Sequence, residues 1–320
     1  MSFIQLIFVL GCLFGATFCQ AQEASDTTYI PFIAYWSKGD SYNFRITKLK
    51  QKWKEDQLTK NDSLSYVVNF EVLDSTADSY TIKWSYKSDF SQLGVEVDMQ
   101  EELAGYFPNE IIYTTDAYGE FMEVVNWKEI TVAMKKMSKE VIKNLSQEHK
   151  GDKQFQKMLK ALLSKYQSQA GIENMLLQEL YLFHFPLGYE YALEDTLSYE
   201  EEMTSNFGNS MVTGQAKIYL EEVDTQDYYA VLIKELQVNP EEMKKVMVEV
   251  YQGLGLEAGE FEAAMKEAVV ENTEEHIFQY FYSPGIPYFI HSKREFYISV
   301  EGEEGGTITT TRIELLFDKD

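Results

Sequence analysis

The sequence predicts an α+β fold: an antiparallel, curved, half-barrel-like β-sheet with two helical insertions packed on one face. Three observations predict it. The apolar residues of the first third alternate with period two, as strands with one buried face require. The helical periodicity is confined to two blocks, about 127–183 and 240–271. The strands come in runs between those blocks and do not alternate singly with helices, which disfavours a parallel doubly wound sheet. Composition supports a packed globule, at 45% hydrophobic and 14% aromatic with 22 Tyr and 20 Phe. Only 6 Pro and no low-complexity tract argue against long disordered linkers.

The chain begins with an uncharged apolar run, Leu6 to Phe18, followed by Cys19-Gln20-Ala21. Residues 1–21 read as a signal peptide cleaved near Ala21, leaving 22–320 as a single α+β domain in the periplasm or outside the cell. The run is too short for a membrane span, which takes about 20 apolar residues. Val9-Leu10-Gly11-Cys12 keeps lipid anchoring at Cys12 open as the alternative. Cleavage removes both cysteines, Cys12 and Cys19. The exported chain then holds together by packing, without disulfides.

The first strands follow from alternation. Tyr42, Phe44 and Ile46 share one face; so do Tyr66, Val68, Phe70 and Val72; so do Tyr80, Ile82, Trp84 and Tyr86. Asp74 to Ser79 supplies a polar turn. Strands at 111–115 and 120–125 flank a hairpin loop, Asp116-Ala-Tyr-Gly119. The first helix opens at Asn126, read as an N-cap with Glu129 three residues on. Its stripe is Ile130, Met134, Met137, Val141 and Leu145. Phe155 to Tyr166 and Ile172 to Tyr181 make two further stripes, and Phe185-Pro186-Leu187-Gly188 stops the last.

Strands resume at about 189–193, 197–205, 211–223 and 228–238. Asn239-Pro240-Glu241-Glu242 is a helix start, with a cap, a proline at the first position and an acid at the third. Met243, Val246, Met247 and Val250 form one stripe, and Phe261, Ala264, Met265 and Ala268 the next. The last strands are 276–282, 288–300 and 307–317, with Glu301 to Gly306 as a flexible hairpin turn. The passages Asn126 to Ile130 and Asn239 to Met243 share a strand-to-capped-helix grammar, which a weak two-fold repeat or convergent capping explains equally well.

Charge bounds the partners. The net charge is −24. Residues 1–160 carry 18 basic and 22 acidic side chains, and residues 161–320 carry 10 and 30. Such a surface repels phosphate backbones, so nucleic acid is not an expected partner. Chemistry is bounded by absence. Without cysteine after residue 21, thiolate catalysis and thiolate metal sites drop out. The four histidines, 149, 184, 276 and 291, form no H-E-x-x-H arrangement. His184, between Phe183 and Phe185, reads as a packed core residue, and His276 and His291 fall on neighbouring strands where they could meet. No G-x-S-x-G elbow occurs. Gly253 to Gly259 lies between two helices and reads as a loop, and the acidic runs lack calcium-loop spacing. The sequence therefore assigns no catalytic, cofactor-binding or metal residue, expects no cofactor and predicts a protein that is not an enzyme.

Two constellations remain. Lys48, Lys50, Lys52 and Lys54 continue the face of Tyr42, Phe44 and Ile46. They read either as an edge-blunting hairpin end or as a basic rim for an anionic headgroup or the chain's own acidic half. Tyr42, Phe44, Trp84 and Tyr86 share a face across neighbouring strands, as core packing or as the lining of an apolar cavity.

The signal segment ending Ala21-Gln22, the stretch Tyr113 to Trp127 and the strand–helix order together resemble β-rich periplasmic and secreted proteins of Gram-negative bacteria. More loosely, they are similar to the lipoprotein-carrier half-barrels, whose curved antiparallel sheet holds an apolar cavity under helices. The aromatic-rich strand face, the Met-rich apolar helix stripes, the exported chain and the lack of a catalytic motif lead to the first reading: an exported, noncatalytic envelope protein that binds an apolar or lipid-like, amphipathic ligand between sheet and helices. The alternatives are a structural or interaction protein using its acidic C-terminal half, and a carboxylate-dependent hydrolase.

Overall fold

Eleven strands form one antiparallel sheet in the computed structural model, which describes residues 28–86, 109–148, 173, 177–205, 210–253 and 259–317. The strands are β2 (Ser41–Lys54), β3 (Gln57–Ser75), β4 (Ser79–Tyr86), β5 (Glu110–Asp116), β6 (Phe121–Val124), β8 (Thr196–Thr204), β9 (Met211–Asp224), β10 (Tyr229–Val238), β11 (Val269–Phe281), β12 (Ile286–Val300) and β13 (Glu303–Leu316). Their order across the sheet is β6-β5-β4-β3-β2-β13-β12-β11-β10-β9-β8. The last strand, β13, zips the N-terminal and C-terminal meanders together by pairing with β2, Ile313 facing Ile46. The sheet does not close, and β6 and β8 are its edges. β1 (Tyr29–Phe32) and β7 (Tyr189–Ala192) make a separate antiparallel pair. The helices are α1 (Trp127–Glu148), α2 (Gln178–His184), α3 (Pro240–Gly253) and α4 (Gly259–Glu267). The α+β architecture with a curved antiparallel sheet is thus the one the alternation predicts.

Alternation gives the sheet one buried face. Its apolar side chains form two clusters. In the first, Phe44, Phe70, Ile82, Trp84 and Tyr113 from the sheet pack with Ile130 and Met134 of α1 and Leu180 and Phe183 of α2. Phe183 is the hub, its ring 5.3 Å from Phe44, 5.2 Å from Phe70 and 5.6 Å from Trp84. In the second, Val212, Leu236, Val238 and Val270 pack under Met243 and Val246 of α3 and Met265 of α4. Tyr42, Phe44, Trp84 and Tyr86 resolve accordingly: Phe44 and Trp84 are fully buried and stack at 6.3 Å, as core.

Several sequence expectations are corrected. The pair β1–β7 was not expected for β1, because Pro31 and the adjoining apolar Ile33 and Tyr35 blur its alternation. Yet Ile30, Phe32, Ala34 and Trp36 are all buried. The second helical block ends at Glu267, and β11 already begins at Val269, where Val270 faces the second cluster. The turn expected over Glu301 to Gly306 is only Glu301-Gly302, both with positive φ (53° and 87°). That pair of left-handed residues twists a two-residue hairpin tightly enough for β13 to pair from Glu303 onward. Gly306 lies in that ladder because a Cβ there would stand 2.7 Å from the Trp53 indole. Trp53 and Tyr297, from the flanking strands, stack across it at 5.8 Å.

Asn126 takes the N-cap position, its carbonyl accepting from the Ile130 N–H, but its side chain does not cap α1. Its Oδ1 accepts from the Ile112 backbone N–H (2.9 Å) and its Nδ2 donates to the Glu110 carbonyl, so it binds the helix start to β5. Asn239 does cap: its Oδ1 accepts from the N–H groups of Glu241 and Glu242. The two passages share sequence grammar but not side-chain hydrogen bonding. The signal segment, His149, the apolar stripe from Phe155 to Tyr166 and residues 254–258 of the glycine loop lie outside the described residues, as do the side chains of Met137, Val141 and Leu145.

Candidate functional site: an aromatic groove beside helix α2

A groove of about 510 Å³ opens between α2, β7 and strands β8 and β9. Its sequence origin is the stop at Phe185-Pro186-Leu187-Gly188. There the chain leaves α2 and turns straight into β7, with Gly188 at φ 90°. That turn brings Phe185, Leu187, Tyr189 and Tyr191 into the groove lining together with Tyr181 of α2. β8 and β9 add Leu197, Tyr199 and Ile218, and β6 adds Phe121. Tyr181, Tyr189 and Leu197 stay exposed at the mouth. The volume lies within the range of small-molecule pockets, and so does the apolar, aromatic lining.

The polar groups of the groove are few and already engaged. The Tyr189 hydroxyl donates to Glu120 (3.3 Å), Tyr191 to the Pro186 carbonyl (3.2 Å) and Tyr199 to Glu201 (3.2 Å). The Glu120 carboxylate, ahead of partial burial, pushes the Tyr189 phenol up. Burial, with Glu201 beside it, pushes Tyr199 up to about 12. All three therefore stay neutral near pH 7. Behind the lining residue Phe185, Lys234 sits 4.9 Å from the ring centroid and pairs with Glu201 at 2.6 Å. This is an arrangement for holding an apolar body against rings, with hydroxyls and one exposed carboxylate, Glu120, at the edge.

His184 forms part of the groove wall, yet it is buried and structural, as the sequence predicts. Its Nδ1 lies 2.8 Å from the Gly119 carbonyl and its Nε2 2.8 Å from the Tyr113 hydroxyl. A carbonyl only accepts, so Nδ1 carries the proton. Burial, against the smaller pull of Gly119, lowers the ring to about 4, which keeps it neutral. Nε2 then accepts from Tyr113. Gly119 makes this possible: it holds φ 95°, and a Cβ there would lie 2.8 Å from that of Ala34.

His276 and His291 do not meet. The ladder pairs His276 with Ser292 and Ile277 with His291, so the imidazoles fall on opposite faces of the sheet. His276 joins a buried polar cluster on the inner face, 3.4 Å from Glu274, whose other oxygen is 2.5 Å from Arg294 Nε. Burial opposes ionisation of Glu274, but His276 and the Arg294 guanidinium overcome it and hold the carboxyl at about 2. Among the described residues no group of three or more metal-ligating side chains is placed to hold a metal ion.

The four lysines of β2 do continue the inner face. β2 itself pairs with both β3 and β13, so its lysines do not sit on an edge strand, while the exposed hairpin end they approach runs into β3, which among the described residues meets β4 only from Val68 onward. Lys48 pairs with the buried Glu179 of α2, which also accepts from the Tyr66 hydroxyl, and Lys54 pairs with Glu303 at 2.7 Å. Two of the four thus reach the chain's own acidic half. Glu200 and Glu202 of the acidic half lie exposed on β8, a true sheet edge, where charge discourages pairing with another chain.

Sequence reasoning missed the groove. Its residues come from four separate segments, and the one local signal was the density of Phe and Tyr from Tyr181 to Tyr199. No family model and no curated protein matches this chain. Among solved structures it is similar to Ail, the attachment invasion locus protein of Yersinia pestis. The match has 7% identity, covers 88% of this chain and 100% of that one, and has a TM-score of 0.18. At that score the likeness carries no argument. Among the described residues no helix is long and apolar enough to cross a membrane.

Proposed function

We propose that this chain is an exported, noncatalytic envelope protein that binds an apolar or amphipathic ligand in the aromatic groove. One observation carries the reading: a pocket of about 510 Å³ that stays open although its walls are mainly apolar. Exposed apolar surface of this kind is costly unless something covers it. The engaged state of its hydroxyls and of His184 supports binding over bond-making. The signal-like residues 1–21 support export, and residues 22–320 form the exported chain.

The test is to purify the exported protein, extract it with organic solvent and identify the extract by lipid mass spectrometry. The neutral dye N-phenyl-1-naphthylamine then probes the emptied groove. Leu197→Glu places a charge on the exposed groove wall, where apolar contact cannot compensate its desolvation. The variant is expected to fold normally and to lose at least about tenfold in dye affinity, a difference of about 1.4 kcal/mol. A ligand-free extract together with dye binding unaffected by Leu197→Glu overturns the reading. N-terminal sequencing of the exported chain checks cleavage near Ala21.

A further inference from the structure

A second site lies on the same inner face, where β2 meets β13. The face there carries Lys50 and Lys52, which sit opposite Thr309 and Thr307 of β13 in the ladder. Residues directly opposite in an antiparallel pair project to the same side. Two ammonium groups and two hydroxyls therefore converge on one patch, with the lysines exposed and the threonines half-buried.

Three features set these lysines apart from ordinary surface charge. The neighbouring cations are all paired: Lys48 with Glu179, Lys54 with Glu303 and Lys60 with Asp62 at 2.6 Å. Among the described residues, Lys50 and Lys52 make no ion pair, in a chain of net charge −24 with carboxylates in excess. On the β3 side, Lys52 stands directly opposite Lys60. Like charges facing each other across a strand pair are destabilising, and an anion between them reverses the sign. Asp62 lies opposite Lys50 but spends its carboxylate on Lys60. Lys50 and Lys52 also lie on a strand paired along both sides, so discouraging strand pairing at β2 does not account for them.

We propose that Lys50 and Lys52, with Thr307 and Thr309, bind a phosphate-bearing anion on the inner face, the opposing Lys60 adding to its field. The shared chemistry is the phosphate group, carried by a lipid head or free in solution. The proposal does not depend on the aromatic groove, whose lining includes no residue of β2, β3 or β13.

The test uses the full exported chain and the variant Lys50→Gln/Lys52→Gln, with Leu197→Glu as a control that leaves this site intact. Two probes are compared: inorganic phosphate against chloride at equal ionic strength, read by melting temperature and calorimetry, and vesicles of phosphatidylcholine with or without phosphatidylglycerol, read by co-sedimentation. Phosphate is expected to raise the melting temperature beyond chloride if the free ion is bound. Retention on phosphatidylglycerol vesicles alone identifies a lipid head. In either case the double variant should lose at least about tenfold in affinity, since charge-assisted hydrogen bonds are removed, while Leu197→Glu binds as the parent does. Lys52→Gln alone should melt higher than the parent without phosphate, because the repulsion with Lys60 is gone. Equal effects of phosphate and chloride combined with no vesicle retention overturn the proposal, as does a double variant that binds like the parent.

Discussion

His184 and Glu274 are both buried and both perturbed, and they respond to acid in different windows. The unfolded chain takes up a proton at His184 below about 6.5, whereas the folded ring resists protonation until about 4. The unfolded state thus binds more protons in that interval, and stability falls as the pH falls from 6.5 to 4. The loss is about 3 kcal/mol at 1.36 kcal/mol per pKa unit. Glu274 contributes stability above its ordinary 4.5, and that contribution is lost only as the pH falls toward 2. His184→Gln retains a donor for Gly119 and an acceptor for Tyr113 but does not titrate. Denaturant unfolding across pH 7 to 2.5 should show a steep decline between 6.5 and 4 for the parent and a flattened one for His184→Gln, with the decline below 4.5 kept in both. An unchanged slope in the variant would sink the assignment. The sequence made His184 legible as a core residue because Phe183 and Phe185 flank it. Its partners were not legible, since Tyr113 and Gly119 lie more than sixty residues away and only the fold brings them in.

Elements were more legible than contacts. Strand existence follows from local alternation, and β2, β4, β5, β9 and β12 lie close to where their sequences put them. Their ends depended on partners: β13 extends to Glu303 because β2 and β12 flank it on both sides, which no property of Gly305-Gly306 announces. The lysine face of β2 was likewise legible as a face, while its central place in the sheet required the β2–β13 pairing. The two asparagines at helix starts make the distinction testable. Asn239 uses one oxygen as a cap, and serine caps equally well. Asn126 uses both ends of its amide, to Ile112 N–H and Glu110 C=O, and serine is too short to bridge them. Asn239→Ser should therefore change stability by only a few tenths of a kcal/mol, while Asn239→Ala costs about 1 kcal/mol. Asn126→Ser should cost about 1–3 kcal/mol by leaving the Ile112 N–H without its partner. Chemical denaturation of the three variants decides it. Equal losses for the two serine variants would show that Asn126 acts as an ordinary cap.

At the scale of the whole molecule, the inner face is divided. One apolar cluster lies under α1 and α2, the other under α3 and α4, and polar side chains run between them: Lys48 with Glu179, Lys234 with Glu201, and Glu274 with His276 and Arg294. Separate cores usually mean separate folding units, but here the same strands serve both. β9 contributes Ile218 and Leu220 to the first cluster and Val212 and Ala216 to the second. β10 does the same with Leu232 and Leu236, and β11 with Phe278 and Val270. A strand cannot leave one cluster without disturbing the other, so residues 22–320 should unfold as one domain. Phe183→Ala in the first cluster should cost about 3–5 kcal/mol, and Met243→Ala in the second about 2–5 kcal/mol. Neither residue shares a cluster with the other, so the two losses should add to within about 0.5 kcal/mol in the double variant. Both should move the same single transition, seen alike by tryptophan fluorescence, which reports on Trp36 and Trp84 in the first cluster, and by far-ultraviolet dichroism, which reports on the sheet. If Met243→Ala lowered the dichroism transition and left the fluorescence transition in place, the shared strands would not couple the clusters, and the chain would be two domains joined through one sheet.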